Sequence, residues 1–390
     1  MIDYKKYFNI LCWSINPDYR SIPDTKGMDW FAFYRFTCEQ AIAGVAFEGV
    51  KRMSDAREKV EENHQPLESE HQSKPPFSLL MEWIGLTEQI AGQNRLVNKK
   101  CLEVQKELHE SGFDNCIIKG QGNALNYPNP YSRTSGDIDI IIRNADRKRL
   151  TQWVKEHKGL AGCHFQHAEY EEDGVGVELH FVPCYMNNPI YHKRLQKWLH
   201  EQAEKDDIWN HEVGMPDGMG RITIPSSFYN LIYQLAHIMH HFFDEGIGLR
   251  QMMDYYLVLM EEGRRQMEEG RRQMEEGRGK MDDVADTLQY LGLWKFAGAV
   301  MYVMQEVFHL DKAYMLAPVD ERRGKTLMEE ILKGGNFGRY SGLTNHTAGG
   351  KYVAKTLRNF RLVREYPAEA LCEPVFRTWH FLWRQWHKYV

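Results

Sequence analysis

The feature that most constrains this chain is the segment from Asp137 to Ile142, where two aspartates alternate with isoleucines before an unbroken apolar run. Alternation of this kind, ending in β-branched residues, is typical of a strand with a buried face. Since side chains two apart share a face, Asp137 and Asp139 lie about 6.6 Å apart along that strand. Two carboxylates this close repel each other, and a divalent cation relieves the repulsion. The segment therefore predicts a β-strand that carries a metal site.

Residues upstream of this strand suggest what the metal serves. An apolar run ends at Lys119, and the glycine turn Gly120-Gln121-Gly122 follows at the predicted start of a short helix. Backbone N–H groups in such a turn can bind phosphate oxygens. Lys119 and Arg133 can add positive charge, although Arg133 is equally compatible with a structural ion pair.

A second predicted strand supplies a third acid. A turn at residues 172–174 separates two alternating segments, 163–171 and 175–183, which is the pattern of a β-hairpin. On the exit strand Glu178 and His180 share one face, and apolar residues share the other. We predict that Glu178 joins the aspartate pair, with His180 as its partner or as an ordinary hairpin histidine.

Three acids in this arrangement fit nucleotidyl transfer, which needs positioning and charge neutralisation more than covalent chemistry. Two metal ions about 3.5–4 Å apart can activate an incoming hydroxyl and stabilise departing pyrophosphate. We predict that Asp137, Asp139 and Glu178 are both the metal ligands and the catalytic carboxylates, and that they hold Mg²⁺ or Mn²⁺.

The order of these motifs resembles the polymerase-β-type nucleotidyltransferase superfamily. The shared pattern is Lys-Gly, Tyr-Pro at residues 127–128, Arg133, Asp-x-Asp on one strand and Glu-x-His on another. Over about residues 25–260 the chain most resembles a bacterial branch usually labelled uncharacterised nucleotidyltransferases. The resemblance implies transfer of a nucleoside monophosphate from an NTP, with ATP as a candidate, to a hydroxyl acceptor, with release of pyrophosphate and with Mg²⁺ held by the three acids.

One departure from the superfamily concerns the glycine turn. The superfamily commonly has Gly-Ser or Gly-Gly where this chain has Gly120-Gln121, so a phosphate-binding hydroxyl is missing. The departure leaves a second hypothesis open, in which a catalytically idle protein of the same fold binds a nucleotide or scaffolds a partner.

A predicted helix after Pro225 presents further candidates. His237 and His241 are one turn apart and share a face, which fits a cleft wall, helix packing or a His-based metal hydrolase. The hydrolase hypothesis is the weakest, because Ile238 stands where the HExxH pattern has its glutamate. Arg250 is either an intrahelical partner of Asp254 or a phosphate contact. The predicted nucleotide-binding set is Lys119, Gly120, Gln121, Gly122, Arg133, His180, His237, His241 and Arg250.

These elements predict an α+β fold, with a small mixed β-sheet core flanked by N-terminal helices and by a larger helical C-terminal domain. The predicted units are an N-terminal helical region, 1–112, a nucleotidyltransferase α/β core, 113–205, and a helical C-terminal domain, 206–390. Three heptads, EEGRRQM twice and then EEGRGKM, occupy residues 261–281 and predict a solvated helical extension without chemistry.

Composition narrows the function classes. A net charge of -5 gives no general attraction to nucleic acid and no strong DNA-binding signal. The seven cysteines form no CxxC pair, which argues against a disulfide framework or a zinc site and favours a reducing compartment. No apolar run approaches the about 18 residues of a membrane span. We therefore expect a cytoplasmic protein without a membrane partner, whose acceptor is a small molecule, a protein or RNA; the basic and aromatic C-terminus fits either RNA binding or helix packing.

Overall fold

The computed structural model of the protein describes residues 4–19, 21–62, 73–276, 283–342 and 348–386. The N-terminal helices are α1 (Tyr4–Ile15), α2 (Trp30–Glu39), α3 (Ala43–Glu62) and α4 (Phe77–Glu110). The sequence predicts one helix from Trp30 to Met53, but the chain breaks between α2 and α3, where Ala41 has a φ of 56°. Gln40 stabilises the break, because it donates to the Ile331 carbonyl at 3.0 Å and accepts from the Leu249 N–H at 2.8 Å.

The centre of the molecule is a five-stranded mixed sheet in the order β1-β2-β5-β4-β3. The strands are β1 (Asn115–Ile118), β2 (Ile138–Ile142), β3 (Gly162–Cys163), β4 (His167–Glu172) and β5 (Val175–His180). β2 runs parallel to β5, and the other neighbours are antiparallel. Two helices accompany the sheet, α5 (Gly120–Ala124) and α6 (Arg147–His157). The α+β fold class with a small mixed sheet is confirmed.

The two faces of this sheet differ in chemistry. Ile140 of β2 and Leu179 of β5 are fully buried in an apolar core that also contains Leu108 of α4 and Leu150 of α6. Because side chains alternate along a strand, the opposite face carries the polar residues of β2 and β5. The sheet is therefore fixed by its apolar face and presents its polar face to the rest of the molecule.

The C-terminal half is helical apart from a small hairpin. Its elements are α7 (Pro189–Lys205), β6 (Glu212–Gly214), β7 (Arg221–Thr223), α8 (Ser227–Asp244), α9 (Leu249–Glu276), α10 (Asp283–Tyr290), α11 (Trp294–Phe308), α12 (Glu321–Gly334), α13 (Ala348–Arg361) and α14 (Pro367–Trp386). The heptad repeat continues α9 as far as Glu276, and residues 277–281 of the repeat lie outside the described residues. None of the described helices combines the length and the apolar character needed to cross a membrane.

The larger hydrophobic core draws on all three predicted units. It includes Phe33 from the N-terminal helices, Ile118 from the sheet and Phe243 from the C-terminal helices. The units pack as one body around the sheet, and their division into separate domains stays a prediction.

Candidate functional site

The register of the sheet brings the three predicted acids together. Asp139 of β2 is paired with Glu178 of the parallel strand β5, and neighbouring strands lie about 4.8 Å apart. Asp137 lies two residues before Asp139, so it projects from the same face. Three carboxylates from distant parts of the chain thus share one patch of the polar face.

Two cationic side chains hold Asp139. Its buried Oδ1 accepts from Lys119 Nζ at 2.8 Å and from His180 Nε2 at 3.0 Å. Burial raises the pKa of Asp139, but Lys119 and His180 outweigh that effect and keep the pKa below its usual value. Burial lowers the pKa of His180. The hydrogen bonds and charges of Asp139 and Glu178 have the larger combined effect and raise that pKa to about 9. At neutral pH the site therefore contains an ionised Asp139 between two cations.

Glu178 is held by two histidines, and sequence reasoning missed one of them. Its Oε2 lies 3.3 Å from His180 Nε2 and 3.3 Å from His167 Nδ1. Burial raises the pKa of Glu178, but the hydrogen bond from His180 and the charges of His167 and His180 together lower it overall. The hairpin pairs His167 with His180, because the turn consists of Asp173 and Gly174 alone. The predicted turn at residues 172–174 would instead have placed His167 opposite Leu179.

Asp137 is the least neutralised of the three acids. Its side chain is open to the water of a cavity, and within the described ranges no cationic group lies within 4 Å of its carboxylate. Repulsion from Asp139, together with enclosure by protein atoms and the charge of Glu178, raises the pKa of Asp137 to about 7. The donor set fits a hard divalent cation, because carboxylate oxygens are its preferred ligands and a cation removes this repulsion.

The acids line a cavity of 1180 Å³, whose other lining residues include parts of α8, α13 and α14. His237 and His241 of α8 face it, and His237 Nε2 lies 3.2 Å from Lys119 Nζ. Burial lowers the pKa of His241 to about 3, so its ring is neutral. Across the described part of the chain, neither histidine belongs to a group of three ligand atoms close enough to hold a metal. The geometry of α8 therefore supports a cleft wall and gives no support to the hydrolase hypothesis.

Two arginines near the acids have different surroundings. The buried Arg133 guanidinium forms two bonds to Asp254, at 2.8 and 2.7 Å. Its pairing with Asp254 replaces the predicted intrahelical pair of Arg250 and Asp254. Arg250 instead donates to the Thr134 carbonyl at 3.1 Å and stacks over Phe337. Burial, followed by repulsion from Arg133, lowers the pKa of Arg250 to about 10, which leaves it charged at neutral pH.

The glycine turn contributes less to the cavity than the sequence predicts. Gly120 lines the cavity next to Lys119, but Gln121 and Gly122 do not. The buried Gln121 amide donates to Asn94 at 3.3 Å and to Asn98, both on α4, and Gly122 packs against Ile224. The prediction that the Gln121 side chain contacts a nucleotide in the cavity is therefore wrong, because the Gln121 amide joins α5 to α4.

Comparison with known proteins identifies the family of the chain as one of nucleotidyltransferases. Residues 26–309 match the family described as uncharacterised nucleotidyltransferase, and the chain belongs to that family. Among solved structures it is similar to an antigenic nucleotidyltransferase-like protein from Paracoccidioides brasiliensis, with 13% sequence identity and a TM-score of 0.33 over 56% of this chain and 92% of the other. None of the curated proteins compared with the chain matches it.

Proposed function

We propose that this protein is a Mg²⁺-dependent nucleotidyltransferase that transfers a nucleoside monophosphate from an NTP to a hydroxyl acceptor. The observation that carries the proposal is the pairing of Asp139 with Glu178 across β2 and β5, with Asp137 beside them and open to a cavity of 1180 Å³. Family membership supports nucleotidyl transfer in general. The arrangement of the acids supports a metal-dependent form of it.

The proposed reaction makes one bond and breaks one. The acceptor oxygen bonds to the α-phosphorus, the bond from that phosphorus to the bridging β-oxygen breaks, and pyrophosphate leaves with the electron pair. The hydroxyl proton passes to a carboxylate of the acid group. Mg²⁺, when held by Asp137, Asp139 and Glu178, would neutralise phosphate charge and polarise the reacting oxygens.

The protein itself supplies pre-organisation. Lys119 and His180 fix the Asp139 carboxylate, and His180 also contacts that of Glu178. Acids that are already oriented in the free protein need little rearrangement when the substrate arrives. Asp137 has no such partners, so its carboxylate is the one most available to a cation.

Arg250 is our candidate for the triphosphate contact. In the described residues no carboxylate lies within 4 Å of its guanidinium, and its Nε is buried without a hydrogen-bond partner. It lies beside the loop that leads into Asp137, where its Nη1 is 3.9 Å from the position of a Cβ on Gly136. A guanidinium with free donors is well suited to bind phosphate oxygens.

One observation favours the catalytically idle alternative. Lys119 and His180 already bind the same oxygen of Asp139, and these cations compete with a metal for it. In that case the cavity binds a nucleotide and no transfer follows.

The test separates these two functions. Purified protein is incubated with α-labelled NTPs, Mg²⁺ and a panel of hydroxyl acceptors, and both nucleotide binding and pyrophosphate release are measured. Asp139→Asn is compared with Asp114→Asn, an exposed aspartate beside the same sheet. Transfer that is lost only in Asp139→Asn supports the proposal. Equal Mg²⁺-dependent NTP binding by wild type and Asp139→Asn would show that the metal site is wrong, and binding without pyrophosphate release would favour the idle alternative.

A further inference from the structure

The polar face of the sheet continues beyond Glu178 onto β4 and β3. The chain turns between these strands at Phe165 and Gln166, and the His164 N–H donates to the His167 carbonyl at 2.8 Å. The two histidines therefore stand opposite each other across the turn. Glu169 lies two residues beyond His167, so its side chain projects from the same face.

The ligand atoms of these three residues are close together. His164 Nε2 lies 3.4 Å from Glu169 Oε1, and His167 Nε2 lies 3.7 Å from Glu169 Oε2. All three ligand atoms fall within 4.8 Å of one another. Ligand atoms about 2.0–2.2 Å from a Zn²⁺ ion in tetrahedral geometry are separated by roughly 3.4 Å, so the observed spacing requires only small shifts.

A glycine leaves room for the carboxylate. Gly162 is paired with Glu169 in the β3–β4 register. A Cβ at Gly162 would lie 3.0 Å from Glu169 Cδ and would overlap the carboxylate oxygen. The carboxylate thus lies over the glycine, on the side where it meets His164.

His167 lies between two carboxylates, and this position is the second observation that points to a cation. Its Nδ1 is 3.3 Å from Glu178 and its Nε2 is 3.7 Å from Glu169. A neutral imidazole has one N–H and one lone pair. One ring nitrogen therefore faces a carboxylate lone pair to lone pair, and a cation bound at that nitrogen removes the repulsion.

We propose that His164, His167 and Glu169 form a second metal site, for a first-row divalent transition metal such as Zn²⁺, next to the acid group of Asp137, Asp139 and Glu178. Imidazole nitrogens favour Zn²⁺ and its neighbours, whereas a set of carboxylates alone favours Mg²⁺. Two histidines and one glutamate leave a coordination position open. His164 and Glu169 keep 33% and 37% of their side chains exposed, so the metal can reach them.

The proposed metal would stabilise the turn that contacts the C-terminal helix. Phe165 packs edge-on against Trp379 and Trp383 of α14, with ring centroids 5.3 and 6.1 Å apart. A metal bound by His164 and His167 fixes both residues that flank the turn of Phe165. The site therefore connects the sheet to helix α14, whether or not the protein transfers nucleotides.

The test measures metal binding directly. Tag-free protein is stripped with a chelator and titrated with Zn²⁺ against a competing chromophoric chelator in excess Mg²⁺, and Co²⁺ absorption reports on histidine coordination. We expect one Zn²⁺ per chain. Loss of a residue that only orients a metal ligand weakens metal binding by about 10- to 100-fold. His164→Ala and Glu169→Gln each remove a ligand itself, so each should weaken Zn²⁺ binding by at least this much. Gly162→Ala should also weaken it, because the methyl group displaces the Glu169 carboxylate.

Two controls separate this site from other metal binding. His200→Ala removes an exposed histidine of α7, and Asp139→Asn removes an acid of the neighbouring group; neither should change Zn²⁺ affinity. Circular dichroism shows that each variant is folded, and Glu169→Gln preserves the size of the side chain. Absence of Zn²⁺ binding by the wild type would overturn the proposal, as would unchanged binding in folded Glu169→Gln. Loss in Asp139→Asn with retention in His164→Ala would instead place the transition metal on the acid group.

Discussion

Two of the walls of the cavity, one formed by the sheet and one by the C-terminal helices, differ in character. The sheet wall carries Lys119, Asp139 and Glu178, whose charges are joined in short contacts to one another and to histidines. It lies within residues 26–309, which match the family. The helical wall comes from α13 and α14, beyond the matched region, and it is aromatic and cationic. Its cavity-lining residues include Tyr352, Lys355, Phe376, Arg377, His380, Phe381 and Arg384.

We infer from this difference that the sheet wall would carry out the proposed transfer and that the helical wall would select the acceptor. Reaction chemistry needs a few groups fixed to within about 0.5 Å, and the sheet wall has them because strand register sets their positions. The helical wall offers ring faces and cations, which suit recognition of an acceptor with flat or anionic parts. We therefore expect substitutions on the sheet wall to remove transfer, and substitutions in the helical wall to alter stability or acceptor choice.

The largest effect is expected for Asp139→Asn. It removes the carboxylate that Lys119 and His180 orient, and transfer should fall by on the order of 10⁴-fold, as when one member of a catalytic group is lost. Pyrophosphate release measures the effect, with Asp114→Asn as the surface control. A similar loss after substitution of Arg384, on the helical wall, would contradict the division of roles.

The next largest effect concerns the buried pair of Arg133 and Asp254. Arg133→Ala leaves Asp254 buried without a cationic partner, which should lower the free energy of unfolding by about 3–5 kcal/mol. Arg143→Ala is the control, since its pairs with Glu204 and Asp114 are exposed to solvent and should contribute little to stability. Urea unfolding followed by circular dichroism measures both. Equal losses of unfolding free energy in the two variants would show that Arg133 has no special structural role. Arg133 would then again be a candidate for phosphate contact.

Much of the sheet wall could be predicted from sequence, because the side chains that share a face are determined within each strand. Period-2 alternation places Asp137 with Asp139 and Glu178 with His180, and both strands form close to the predicted limits. The amphipathic pattern from Phe77 to Glu110 likewise predicts a long helix, and α4 has these bounds. The apolar pattern sufficed where one segment alone decides which face is buried.

The rest could not be predicted, because it depends on residues that are distant in the chain. The break at Ala41 is held by Gln40 through contacts with Leu249 and Ile331. The pairing of Arg133 with Asp254 joins positions 121 residues apart, and only the tertiary structure distinguishes it from the pair of Arg250 and Asp254. The pairing of His167 with His180 likewise depends on a one-residue difference in register, since the observed turn is Asp173-Gly174 and the predicted turn was residues 172–174.

The helical wall has a titratable anchor, Glu369. This buried carboxylate accepts from the N–H groups of Asn187 and Asn188, and burial raises its pKa to about 7 from the usual 4.5. The folded protein holds a proton that the unfolded chain releases, so stability is full below pH 4.5 and decreases as the pH rises to about 7. The loss is at most about 3 kcal/mol. Unfolding midpoints between pH 4.5 and 8 measure it; Glu369→Gln should flatten the profile, and Glu212→Gln, at the surface, should not.

Arg250 and Arg133 should differ in what their loss affects, nucleotide binding for Arg250 and stability for Arg133. Among the residues that the structure describes, no carboxylate lies within 4 Å of the Arg250 guanidinium. Arg250→Ala should therefore change the free energy of unfolding by about 1 kcal/mol or less. It should weaken Mg²⁺–NTP binding by about 10- to 100-fold, the value of one or two hydrogen bonds to a charged group. Titration calorimetry with a nucleoside triphosphate and with the matching nucleoside measures this effect. A loss of the same size for the nucleoside would show that Arg250 contacts the base or sugar and does not contact phosphate.

The smallest effect we predict distinguishes the two carboxylates whose pKa lies at about 7, one on each wall. Repulsion from Asp139 raises the pKa of Asp137, and a metal must displace the proton that Asp137 holds below that pH. Apparent Mg²⁺ affinity should therefore rise about tenfold between pH 6 and pH 8 and then level off. Calorimetric titration with Mg²⁺ at a series of pH values measures the rise, and Asp137→Asn should abolish it. Glu369→Gln should leave it intact, because Glu369 changes stability with pH and lies outside the acid group. If Glu369→Gln abolished the rise instead, the helical wall would control metal binding and the separation of the two walls would fail.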